Sequence, residues 1–591
     1  MDPHRLPCRR RVPDGGLSEL RPDPDHDAVC AAEGRHLVVV APPGTGKTCL
    51  SIRLAGVHAA GLRPEQRVLL LTFSNQARVQ LEKEAARQLT PELRARVEVT
   101  NYHRFFYRAV RAYLRALRLP LAADLWSSKS RYNAIASLDA KLASQLRKDE
   151  TIYSLAEFRF PEFRDERTPD EDVLERLLEV IDAENAAGRL VFDDLGALFW
   201  RLVTTYASVD AAYRHRYPIV IADEHQDASE LQDALVRRLG QERRIVLADP
   251  MQLIYGFRGS RDERVQRHRD ECDQEFELRT PHRWHGSEET GRWLLAVRER
   301  LIGGYADGEA PAGLELVATP AKFGLNAMKA KVKYAVSSAF DTGARSVAVL
   351  AFTNTDVAQL RAYLTTQGMY PRQIGGPADF EDARADIEQL PLLDDPVTLA
   401  RHALDRLGGL VPSLSDPVVK QVVARLKPGG VDLAGAGAEA RALLEALAPL
   451  YERGGRAYIE CTVAMLDAVG DRGYHLPRVE AVRALRETAK AVATEGGNPE
   501  LEDVLARYAA RAAAASHAAP RYDRGLFVMT AHQAKGREFD AVIIVHASKR
   551  FLPDTEAERR LFYVAVTRGA RSWTLIYPDG DQSPLVDHLE E

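Results

Sequence analysis

Strand-sized apolar runs alternate along the chain with stretches of helical spacing. His36 to Val40 is a compact apolar run that ends in Ala41-Pro42-Pro43-Gly44-Thr45-Gly46-Lys47-Thr48, and a helical pattern follows from Leu50. Val68 to Leu71, Pro218 to Ala222 and Arg244 to Ala248 read as further buried strands. Short apolar runs, most of them followed by a helical pattern, predict a parallel sheet covered by helices. From about 106 to 190 the pattern changes to charged segments spaced by Leu and Ala, as in Asp172 to Asp182, which predicts a helical insertion. Strand-like runs return at Ser346 to Phe352, Phe527 to Thr530 and Ala541 to Val545, so a second α/β core is expected. Its two parts are separated by Ala- and Leu-rich sequence, including Ala434 to Leu447 and Leu501 to Ala515, which reads as a second helical insertion. Runs such as Ala512 to Ala515 are high-propensity helix and carry no chemistry.

The 591 residues imply several domains. Hydrophobic residues at 45% and charged residues at 28% are ordinary globular usage, which excludes wholesale disorder. With 80 Lys and Arg against 85 Asp and Glu, the net charge is -5, so any nucleic-acid surface must be local. Five scattered cysteines without a CxxC pair argue against a disulfide framework or a zinc module, and suit a reducing, cytoplasmic setting. No apolar run approaches the roughly 20 residues that span a bilayer, so no membrane is expected. The first 20 residues, with Arg9, Arg10 and Arg11 followed by Asp14, Gly15 and Gly16, read as a flexible leader.

The chemistry concentrates where strands end. A glycine-bearing loop that opens onto a helix can surround phosphate oxygens with backbone donors, and Ala41 to Thr48 supplies one. In it Pro43, Gly44, Thr45 and Gly46 form the cradle, Lys47 would reach the β- and γ-phosphates, and Thr48 would hold magnesium through its hydroxyl. A nucleotide hydrolase also needs an acid on the metal and a base for water. Asp223 and Glu224, directly after the strand ending at Ala222, offer these, although an acidic pair alone could simply cap a helix.

After the strand Arg244 to Ala248 comes Asp249-Pro250-Met251-Gln252-Leu253-Ile254-Tyr255-Gly256-Phe257-Arg258-Gly259, which resembles motif III of superfamily 1 helicases of the UvrD/Rep type. Other motifs of that family follow the same order. Thr72-Phe73-Ser74-Asn75 resembles motif Ia, Asn101-Tyr102-His103-Arg104 motif Ib, and Leu278 to Arg283 motif IV. Met529 to Asp540 is similar to motif V, and Glu558 to Arg568 to motif VI. The resemblance implies two RecA-like parallel-sheet motor domains with ATP and Mg2+ between them, each interrupted by a mainly helical accessory domain. On that plan residues 21–105 and 191–280 form the first motor and 106–190 its insertion. Residues 281–388 and 521–591 form the second motor, and 389–520 the second insertion. Gln252 would sense the γ-phosphate, while Arg283 and Arg568 would come from the second motor to stabilise charge on the transferred phosphoryl group. Gly536 and Glu538 are placed near the nucleotide, though Glu538 could equally cap a turn. Phe73, Asn75, Tyr102, His103, Phe257, Arg258, His532 and Lys535 fall at positions that face single-stranded DNA or its phosphates. For Tyr102 a core aromatic is the equal alternative, and for the histidines an ordinary hydrogen-bonded role.

The sequence departs from the family where a base would be read. Asp25 stands at the position of the glutamine that reads adenine, Cys49 follows the phosphate loop where arginine is usual, and His282 replaces the motif IV tyrosine. Weak discrimination between ATP and GTP is therefore expected. The resemblance implies an ATP-dependent 3′ to 5′ DNA helicase or translocase acting on single-stranded DNA and duplex junctions. Two rivals stand beside it: an ATP-gated nucleic-acid-sensing subunit serving repair or defence partners, and a non-catalytic DNA-binding scaffold.

Overall fold

A computed structural model describes residues 23–121, 123–125, 128–148, 151–254, 262–284, 287–320, 324–372, 395–411, 414, 416–471, 479–494, 508 and 524–589. The leader and the expected DNA contacts Phe257 and Arg258 lie outside the described residues. The chain forms two compact units, one of Met1–Val357 with Met529–Glu591 and one of Ala358–Val528.

The first sheet has six strands: β1 (His36–Val40), β2 (Val68–Thr72), β3 (Val97–Asn101), β4 (Ile219–Ala222), β5 (Arg243–Ala248) and β6 (Gln274–Glu277). They lie in the order β3-β2-β4-β5-β1-β6, and every pair is parallel. β1 and β2 are buried along their whole length, as continuous Val and Leu runs require when both faces are covered. The register sets the chemistry. Val40 pairs with Ala248, Leu71 with Ala222 and Thr72 with Asn101. The segments after Val40, Thr72, Asn101, Ala222 and Ala248 therefore emerge along one carboxyl edge, where ligands of parallel α/β sheets bind.

In its described residues the stretch from 106 to 190 is mainly helical, with the two-residue strands Asp124–Leu125 and Arg189–Leu190 paired to each other. It is not a detached module. Phe106, Ile135, Leu174, Leu177 and Ile181 share one continuous core with Leu69, Leu71, Val220 and Ala222 of the sheet.

A second sheet contains β7 (Leu314–Thr319), β8 (Ser346–Ala351), β9 (Gly525–Thr530), β10 (Phe539–Val545) and β11 (Gly569–Pro578), in the order β9-β8-β10-β11-β7. β8, β10, β11 and β7 run parallel. The helix Glu556–Val566 precedes β11 and buries Leu561 to Val566. The unit Ala358–Val528 is mainly helical in its described part. Its core includes Leu399, Leu443, Leu447, Tyr458 and Met465, and its one described ribbon joins Leu426–Lys427 to Gly430–Val431. Of the Ala-rich run Leu501 to Ala515, only Tyr508 is described.

Candidate nucleotide and nucleic-acid site

The loop after β1 has the conformation its glycines predict. Gly44 and Gly46 have φ of 80° and 81°, in the left-handed region that side chains disfavour. The Thr45 hydroxyl donates to Pro42 O at 2.7 Å. Gly46 is the N-cap of the helix Lys47–Ala59, and no side chain caps it, so the first backbone donors of that helix are left for an anion. Lys47 and Thr48 occupy the first turn.

Opposite the loop stand the two acids. Lys47 Nζ is in ion-pair contact with Glu224 and lies 3.9 Å from Asp223 Oδ1. Burial alone would push the Lys47 pKa down, but Glu224 and Asp223 outweigh it and hold the ammonium charged. Burial raises Asp223, and the neighbouring Glu224 charge adds to the rise against the pull of Lys47. Glu224 would also rise on burial, yet Lys47 and Lys535 bring it below the ordinary range. Among the described residues, nothing donates a hydrogen bond to the buried Asp223 Oδ1. A buried carboxylate oxygen without a donor, beside an uncapped helix start, fits a triphosphate with a divalent cation. Asp223 and Thr48 would hold the cation, which neutralises phosphate charge.

Motif III and the second sheet meet this edge. Gln252 is buried, and its Nε2 donates to Asp249 Oδ2 at 3.0 Å. From the turn before β11, Arg568 Nη2 donates to Gln252 Oε1 at 3.4 Å. Burial and the neighbouring Arg283 push the Arg568 pKa down to about 10. Arg283 Nη1 donates to Thr567 O at 3.0 Å, and its Nη2 lies 2.5 Å from Glu538 Oε1. Its backbone N–H donates to Gly44 O at 3.1 Å, beside the 2.7 Å bond from His282 N to the same oxygen. Arg283 thus touches the phosphate loop with its backbone and the second sheet with its side chain. Glu538 is its partner, and Gly536, at φ 75°, makes the turn that brings Glu538 there.

Two expected strand contacts, Tyr102 and Lys535, are corrected. Tyr102 is 2% exposed, packs on Phe106 and shares a 3.1 Å hydrogen bond with His225 Nδ1, so it presents no face for a base to stack on. The Lys535 side chain is also nearly covered rather than on a DNA surface. Its Nζ donates to Asp227 Oδ1 and Oδ2 at 2.6 and 2.5 Å and to Gln252 O at 2.5 Å. Asp25 has a partner at the entrance to the motif IV segment. Its Oδ2 accepts from Arg279 N at 2.9 Å, and His26 reaches the phosphate loop, Nε2 donating to Thr45 O at 3.2 Å. Cys49 accepts from Gln88 Nε2 at 3.4 Å, and His282 donates to Asp23. Phe73, directly after β2, and His103 and His532, near the starts of their helices, are half-buried. Asn75 opens the helix Asn75–Gln88, and its side chain lies outside the described residues.

The sequence reading missed Asp23, His26 and Trp284. A Cβ on Gly44 would meet Trp284 at 2.5 Å, and one on Gly46 would meet His26 at 2.9 Å and His282 at 3.1 Å, so these rings cover the loop closely. The coincidence of two loop glycines with nearby rings could not be read from spacing.

The UvrD/REP helicase N-terminal domain family matches residues 23–273, and the UvrD-like helicase C-terminal domain family matches residues 469–579. The chain belongs to the UvrD/REP helicase family. Relatives align along almost its whole length. DNA helicase II of Salmonella typhimurium is 24% identical over 94% of this chain and 84% of that protein. DNA helicase II of Escherichia coli is 25% identical over the same shares. ATP-dependent DNA helicase UvrD1 of Mycobacterium tuberculosis is 26% identical over 92% of this chain and 80% of its own length. Among the described residues no helix is long and apolar enough to cross a membrane.

Proposed function

We propose that this UvrD-type helicase hydrolyses ATP with Mg2+ and uses the cycle to move 3′ to 5′ on single-stranded DNA and open duplex junctions. One observation carries the reading: Arg568, from the second sheet, is hydrogen-bonded to Gln252, whose backbone and neighbours stand on the edge that carries Lys47, Asp223 and Glu224. A nucleotide site assembled from two sheets gives phosphate chemistry a mechanical output, because loss of the γ-phosphate removes a tie between them. Arg568 and Arg283 are the charges suited to the transferred phosphoryl group, and Glu224 the base for water. The division into motors of 21–105 with 191–280 and of 281–388 with 521–591, separated by helical insertions, belongs to the same proposal. So do the DNA roles of Phe73, His103 and His532. Polarity and DNA as track rest on the relatives named as DNA helicases.

Strand displacement on duplexes tailed at either end tests this. Displacement from the 3′-tailed duplex alone, dependent on ATP, is the expected result. Displacement only from the 5′ tail contradicts the polarity. Robust hydrolysis with no displacement favours the sensing-subunit reading.

A further inference from the structure

A buried polar chain starts at Tyr102 and has no part in holding nucleotide or DNA directly. Its proton positions follow from one end. Arginine can only donate, so Arg244 Nη2, 2.9 Å from His36 Nδ1, makes that nitrogen an acceptor. His36 Nε2 then donates to His268 Nδ1 at 3.0 Å, and His268 Nε2 donates to Asp233 Oδ1 at 2.6 Å. His225 Nε2 donates to the same oxygen at 2.9 Å, which leaves His225 Nδ1 to accept the Tyr102 hydroxyl proton. One assignment satisfies every member with all three imidazoles neutral. Tyr102, His225, Asp233, His268 and His36 are all buried. The nitrogens already donate to Asp233, and Arg267 Nη1 lies 3.2 Å from its other oxygen, so the cluster is a hydrogen-bonded relay rather than a cation site.

The relay ends beside the catalytic base. Glu224 has φ 55° and ψ 37°, a left-handed conformation that a non-glycine residue keeps only where its surroundings impose it. Asp223 N donates to Leu71 O at 2.8 Å on one side. On the other, His225 is held at both ring nitrogens. Tyr102 opens the helix Tyr102–Ala112, whose start is fixed by Asn101 Oδ1 accepting from Arg104 N at 2.8 Å. The next residues, His103 and Arg104, are half-buried and exposed. A strand bound at that helix start would touch His103 and Arg104 and reach the adjoining, buried Tyr102 through the helix start they share.

We propose that the Tyr102–His225 hydrogen bond is a positioning contact through which strand binding at the helix Tyr102–Ala112 sets the backbone of Glu224. It rests on the reading of the protein as a DNA-stimulated ATPase. The test compares Tyr102→Phe, His225→Gln and the double variant in steady-state ATP hydrolysis at saturating single-stranded DNA. Loss of one hydrogen bond corresponds to about five- to tenfold, so each single variant should lose that much kcat. KM for ATP and the half-saturating DNA concentration should stay within about twofold. Because both changes remove the same contact, the double variant should be no slower than the worse single one. Tyr102→Phe at wild-type kcat overturns the proposal, and this isosteric variant decides alone if His225→Gln does not fold. Multiplying effects, or a change confined to KM or DNA affinity, overturn it too. Wild-type protein that hydrolyses ATP equally with and without DNA would instead remove the functional reading beneath it.

Discussion

Lys535→Met separates the structure's account of this residue from the one its motif suggests. The Lys535 side chain is 7% exposed and that of Asp227 2%, and they bond at 2.5 to 2.6 Å. Removing one partner of such a pair leaves an uncompensated buried charge, which typically costs about 3 to 5 kcal/mol. Removing both, in Asp227→Asn with Lys535→Met, should recover all but about 1 kcal/mol. The pH dependence has a definite sign. Burial pushes the Asp227 pKa up to about 6 even against the pull of Lys535, so without that lysine it rises further. A raised carboxyl pKa means the native state binds the proton more tightly than the unfolded chain, so stability is lost as pH rises through the folded pKa. The deficit of Lys535→Met should accordingly be larger at pH 8 than at pH 5.5. Urea unfolding followed by tryptophan fluorescence reads the stability, and DNA titrations at several salt concentrations read the contact. A phosphate contact would instead lower the salt slope by about 0.7 to 1. Normal stability with weaker DNA binding and a shallower slope would refute the buried-pair reasoning.

Other consequences follow from the same geometry. Burial, with the Arg244 charge, lowers the His36 pKa to about 4, and burial lowers His268 to about 4 against the pull of Asp233. The unfolded histidines bind protons near pH 6.5, so stability present above that value is lost as pH falls from 6.5 through 4. At pH 5 each contributes a loss of about 2 kcal/mol relative to pH 8, readable as a lower urea midpoint; a midpoint flat over this window counts against neutral buried imidazoles. Gly44→Ala places a Cβ 2.5 Å from Trp284 at φ +80°, and strain of about 1 to 3 kcal/mol should raise the ATP KM about 5- to 150-fold; an unchanged KM would show that the loop tolerates a side chain. With Asp25 turned to Arg279, Cys49 to Gln88 and His282 to Asp23, ATP and GTP should turn over at similar rates, and strict ATP selectivity would contradict this.

Features fixed by local order were legible in the sequence. The phosphate loop, the buried strands β1, β2, β4, β5, β8, β9 and β10, and the acids after β4 each depend on neighbours in the chain. Among the described strands of the two large sheets, four went unrecognised: β3, β6, β7 and β11 mix polar residues with apolar ones, as in Gln-Glu-Phe-Glu of β6. Half-covered strands give no continuous apolar run, and all but β11 end or flank a sheet edge. The corrected residues fail for a different reason. Tyr102 is set by His225, 123 positions away, and Lys535 by Asp227, 308 positions away. The cover on the phosphate loop needs Asp23 and His282 together, 259 positions apart. A motif says which residue stands at a place, but partners that distant decide whether it faces solvent, strand or core.

The central claim is that two sheets share one triphosphate, and Arg568→Ala tests it most directly through single-stranded-DNA-stimulated ATP hydrolysis. An arginine that stabilises transferred phosphoryl charge is worth about 10³ to 10⁵ in kcat, so turnover should fall by at least about a thousandfold while nucleotide binding persists. Turnover near the wild-type rate would contradict the account.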